Sequence, residues 1–176
     1  MKQLKEFTIQ FVGLKLGKHL FEYDVDQAFF EHFGYEDFNA SSIKVKVELE
    51  KKTTLMELHF AIKGTVNVNC DLTNEPYDQK LSNKFDLVVK FGSEYNDEEP
   101  DLLILPHGDY EFGIEQYIYE LIVLAVPSKL IHPGVKDGTL KSDILDKLEE
   151  LSPKENKTKS REEEIDPRWN NLKKLL

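Results

Sequence analysis

The stretch SSIKVKVELEKKTTLMELHFAIKGTVNVN, residues 41–69, decides the fold class. Ile43, Val45, Val47 and Leu49 alternate with Lys44, Lys46, Glu48 and Glu50, the period of a strand with one buried and one solvated face. After a KKTT turn the alternation resumes at Met56, Leu58, Phe60 and Ile62. It keeps its parity through Val66, Val68, Cys70 and Leu72. Gly64 falls inside this run, so it reads as one long strand bent at Gly64 or as two strands meeting at a corner.

Working outward, TNEP reads as a turn, and Phe85, Leu87, Val89 and Phe91 supply another alternating face. Upstream, Phe7, Ile9 and Phe11 alternate, and Gly13 and Gly17 flank a turn before residues 20–25. DLLILP, residues 101–106, fits a short buried strand. Asp26 caps a short helix, DQAFFEHF, that Gly34 ends. Ile114, Tyr117, Ile118, Leu121, Ile122 and Ala125 form the apolar face of a second helix, stopped by Pro127. SDILDKLEEL fits a third, with Ser142 as its cap. The expected class is α+β: a curved antiparallel sheet packed by a few helices, barrel-like if its edges meet.

With 176 residues, 40% of them hydrophobic, the chain can build one core. No apolar run approaches the roughly 18 residues of a membrane helix. The N-terminus has no sustained apolar segment of the signal-peptide kind. Cys70 is the only cysteine, which excludes an internal disulfide and a multi-cysteine zinc site. The cytoplasm is the expected compartment. Net charge is −10, and residues 91–128 hold nine acids with no Lys or Arg. So acidic a body repels phosphate over most of its surface and suits a basic protein partner.

Catalytic signals are thin. Cys70 shares the inward parity of Val66 and Val68 and reads as a small buried hydrophobe. The five histidines lack ligand spacing, and His107 and His132 fall in loops. The acids of residues 94–101 lack the spacing and central glycine of a calcium loop. No cofactor, metal or catalytic residue is expected, and the chain reads as a non-enzyme. The alternative is a ligand-binding or enzymatic domain that uses His107, His132 and the acids between Asp101 and Asp109.

Residues 153–164, PKENKTKSREEE, contain no apolar side chain and read as a flexible tether. Residues 165–176, IDPRWNNLKKLL, then spell a short helix. Asp166 caps it, Pro167 takes its first position, and Ile165, Trp169, Leu172 and Leu176 make an apolar stripe. So short a helix is marginal alone in water and orders on docking, either to its own body or in a partner's groove. Asp166, Pro167, Arg168, Trp169 and Leu172 are the candidate partner-binding residues. Lys154, Lys157, Lys159, Arg161, Lys173 and Lys174 form a basic arm, the one route foreseen for direct RNA contact.

The ending IDPRWNNLKKLL resembles the C-terminal signature of the YceD family, the large ribosomal RNA subunit accumulation proteins. VNVNCDLTNEPY is similar to that family's strand-and-turn motif, and LIVLAVPSKLIHPG to its helix ending in Leu-Ala-x-Pro followed by Cys or His and Pro. Cys70, Pro127 and His132 match motif positions, but Thr73 stands where the motif has a second cysteine. The resemblance implies an accessory factor of ribosome assembly, with a basic ribosomal protein or assembly factor as partner. The expected organisation is an α+β domain at 1–152, the tether at 153–164 and a docking helix at 165–176.

Overall fold

A computed structural model describes residues 5–140 and 142–152. The chain divides into two units, Met1–Lys141 and Ser142–Leu176. The first holds β1 (Thr8–Gln10), β2 (Gly17–Val25), α1 (Gln27–His32), β3 (Ala40–Lys51), β4 (Leu55–Asn69) and β5 (Pro76–Gly92). It continues with β6 (Asn96–Glu99), β7 (Leu102–Pro106), β8 (Glu111–Gly113), α2 (Glu115–Ala125) and α3 (Pro133–Lys136). In the second, α4 (Asp143–Leu151) starts where Ser142 accepts a hydrogen bond from the Ile144 N–H.

The alternating stretch folds as expected. β3 and β4 form an antiparallel hairpin whose register sets Val47 opposite Phe60 and Leu49 opposite Leu58. β4 pairs in turn with β5, placing Phe60 beside Phe85 and Leu58 beside Leu87. Val47, Leu49, Met56 and Leu58 are fully buried, each worth about 1.5–3 kcal/mol of transfer free energy. β4 is a single strand through Gly64. That glycine lies opposite Ile43, and a Cβ there would sit 2.6 Å from the Ile43 Cα. Close approach of two backbones therefore fixes Gly64, rather than a corner.

The six-stranded sheet runs in the order β2-β3-β4-β5-β7-β6, with β1 and β8 as a separate pair. It does not close into a barrel. The nine-residue β2 and the short, irregular β6 remain as its two edges. A barrel covers its inner face with its own strands. Here that face is covered by other elements: Phe29 and Phe30 of α1 join Phe7, Phe38 and Tyr119 in an aromatic cluster. On α2, Tyr117 stacks on Phe85. Nor is the sheet wholly antiparallel, because β7 runs parallel to β5. β5 also starts earlier than the apolar pattern suggests, at Pro76. Among the described residues no helix is long and apolar enough to cross a membrane.

Candidate functional site

Where β4 ends, residues 70–75 make a tight turn. The Asn74 N–H donates to the Cys70 carbonyl at 2.8 Å, and Asn74 itself takes a left-handed φ of 57°. Asn tolerates that conformation better than most residues. The turn is fastened to the segment after α2. Asp71 N–H donates to the Leu130 carbonyl and Leu130 N–H donates back to Asp71 Oδ2, both at 2.7 Å. The His132 N–H points at Cys70 Sγ from 3.3 Å. The His132 ring caps α3 by accepting from the Gly134 N–H at 2.9 Å and stands edge-on to Tyr77.

Cys70 and His132, distant in sequence, are thus brought together, while Pro127 is exposed just past the end of α2. Burial pushes the Cys70 thiol up. Hydrogen bonds from the His132 N–H, the Thr73 hydroxyl and the Leu72 and Thr73 N–H groups outweigh it and hold the thiol below its ordinary value. Thr73 is 4% exposed. It thus supports the sulfur as a hydrogen-bond donor from the position where a second cysteine would sit. Among the described residues no group of three or more His, Cys, Asp or Glu could hold a metal ion. The arrangement acts as a clasp between the end of β4 and the segment after α2.

His107 does not join it. Its ring stacks on Phe91, near the far end of the seventeen-residue β5 from Tyr77, against which His132 packs. The structure brings the two histidines to different ends of the sheet and gives them no common site.

The acids converge elsewhere. A cleft of about 330 Å³ lies between β6, β7, the turn before β8, and α2. Asp97, Glu99, Asp109, Glu111, Glu115 and Glu120 line it with Tyr95 and Tyr117, and among the described residues no Lys or Arg faces it. Glu115 occupies the first turn of α2, where the helix dipole favours a carboxylate. Its Oε2 is buried and has no hydrogen-bond partner among the described residues. Burial first, then the hydrogen bond to Asp97 (3.0 Å) and the charges of Asp97 and Glu115, push Tyr95 up to about 12. Tyr117 is pushed up as well, by burial and then by Tyr95, Asp97 and Glu120. The cleft is a pool of negative potential with two aromatic walls, a fit for Lys or Arg side chains. The absence of bases from residues 91–128 was its signal in the sequence. The folding together of Tyr95 and Tyr117 left none.

The C-terminal residues Asp166, Pro167, Arg168, Trp169 and Leu172 lie outside the described residues. The family model described as large ribosomal RNA subunit accumulation protein YceD matches residues 58–176, more than half of the chain. No curated protein and no solved structure matches.

Proposed function

The chain belongs to the YceD family, whose description is large ribosomal RNA subunit accumulation, and we propose that it serves that role without catalysis, as a binding factor in ribosome assembly. The acidic cleft receives a basic ribosomal protein or assembly factor, and the C-terminal stretch around Trp169 supplies a second, apolar anchor. One observation carries the reading: six carboxylates and two tyrosines line a single cleft that no cation faces among the described residues. Ribosomal partners rich in Lys and Arg are steered to such a surface, and cation–π contact with Tyr95 and Tyr117 adds to the charge pairing.

The test is neutralisation of the cleft by Asp97→Asn, Glu111→Gln and Glu120→Gln together. Co-sedimentation with large-subunit precursors should be lost while the thermal transition stays in place. Undiminished co-sedimentation would remove the cleft from the mechanism.

A further inference from the structure

The solvent face of the sheet, opposite the helices, carries a basic island in this acidic protein. Register places Lys44 directly opposite Lys63 across β3 and β4. Lys46 lies opposite Ala61, which faces Lys84 across β4 and β5, and Lys80 lies opposite Thr65. All five lysines are exposed. Lys46 pairs with Glu22 at 2.7 Å. Among the described residues Lys44, Lys63, Lys80 and Lys84 make no ion pair. On β2, Glu22 lies directly opposite Lys46 and Asp24 directly opposite Lys44, and Asp86 beyond the island is taken by His59.

Like charges directly opposite each other on a sheet are unfavourable. This chain has more acids than bases, and it pairs Lys18 with Glu48 on the same face. Yet at the centre it keeps Lys44 against Lys63. The small Ala61 leaves a hollow of about 490 Å³ walled by the stems of Lys44, Lys46, Lys63 and Lys84. Strands about 4.8 Å apart and a same-face repeat of about 6.7 Å spread these ammonium groups as a grid. Lysines act as mobile point charges, unlike the bidentate fork of arginine. Among the described residues the island carries no buried donor shaped to one small anion and no aromatic ring on which a base could stack.

We propose that this lysine island binds the phosphate backbone of RNA, independently of sequence. The inference rests on the ribosomal reading of the family, and it gives the two faces of the sheet different partners. The helix side takes a basic protein in the acidic cleft, and the open side takes RNA. The sequence-based expectation of RNA contact through the C-terminal arm alone is thereby widened to the body.

Binding of the full chain to a labelled single-stranded RNA, followed by fluorescence anisotropy over a salt series, tests the island. Every lysine–phosphate pairing removed should reduce the slope of log K against log salt by about 0.7. Lys44→Gln, Lys63→Gln and Lys84→Gln together should therefore lower the slope by about 2 and weaken binding more than tenfold at low salt. The urea midpoint should not fall, because the change removes the Lys44–Lys63 repulsion. Three outcomes would overturn the proposal: unchanged affinity in the triple variant, loss of slope only when Lys154, Lys157, Lys159 and Arg161 are changed to Gln, or equally tight capture of polyglutamate by the same lysines. The cleft-neutralised variant separates the two readings. It should keep full RNA affinity, and any failure of the cleft shows only in co-sedimentation.

Discussion

The His132 backbone N–H lies 3.3 Å from the Cys70 sulfur, so a residue in the loop after α2 completes the environment of a thiol at the end of β4. Cys70 is 2% exposed, and its substitution by Ala would leave the N–H groups of Leu72, Thr73 and His132 without their acceptor. An orphaned buried donor costs about 1–3 kcal/mol. Cys70→Ala should therefore destabilise by about 2–3 kcal/mol in urea unfolding. Amide exchange should accelerate first at residues 71–74 and 130–134.

The same sulfur gives a pH signature. The folded thiol titrates below its ordinary value of 9.0. Between the folded and unfolded pKa the unfolded chain binds the extra proton, so stability rises with pH across that window. The contribution is complete above the unfolded value and is lost as pH falls through the folded one. The stability gap between the wild type and Cys70→Ala should widen from neutral pH towards pH 9. A gap that narrows with rising pH would show that burial, not hydrogen bonding, governs the thiol.

Gly64→Ala probes the hairpin that defines the fold. The added methyl would strike the β3 backbone at Ser42 and Ile43, atoms that cannot swing aside as a side-chain tip can. Overpacking of this kind costs about 1–3 kcal/mol, and a backbone obstacle puts Gly64→Ala at the upper end. A lowered urea midpoint with an unchanged m-value is the expected result.

Asp26→Ala tests a feature the sequence displayed openly. The Asp26 side chain accepts from the Ala28 N–H at 3.0 Å, and Gly34 follows α1 with a φ of 68°. Loss of an N-cap costs about 1 kcal/mol. Because α1 carries Phe29 and Phe30 into the core, the loss should appear in global stability. An unchanged thermal midpoint would mean that packing alone holds the helix.

Local signals made much of the fold legible. β3 and β4 announced themselves because apolar residues alternated along them, α1 because Asp26 and Gly34 bracketed it, and α2 because of its apolar face and the Pro127 stop. What stayed hidden depends on contacts distant in the chain. The start of β5 alternates in the structure, with Tyr77 and Leu81 buried. Its sequence, PYDQKLSN, nevertheless shows no apolar alternation, because polar Gln79 and Asn83 occupy the same inner face. The parallel pairing of β5 with β7 and the meeting of β1 with β8 leave no periodicity to find. Lys44 and Lys63 each looked like an ordinary outward-facing residue. Only register makes them neighbours, and so the basic island was invisible where the acidic cleft was half announced. For the site, motif spacing marked Cys70 and His132, but the roles of Thr73 and Asp71 in the clasp appear only in the fold.

Trp169→Ala tests the second anchor. Trp169 is the only tryptophan, and Ile165, Leu172 and Leu176 recur with it at helical spacing in the sequence, after an entirely polar stretch. A buried tryptophan at the centre of an interface is worth about 2 kcal/mol or more, roughly thirtyfold in affinity. The substitution should therefore sharply reduce co-sedimentation with large-subunit precursors and leave the urea midpoint where it was. A fall in the midpoint would make residues 165–176 a structural helix of the protein's own fold and end the docking reading. Salt separates this anchor from the lysines. Apolar docking through Trp169 should persist as salt rises, whereas backbone contacts to RNA weaken steeply. Residual binding at high salt that disappears with Trp169→Ala would assign it to the tail.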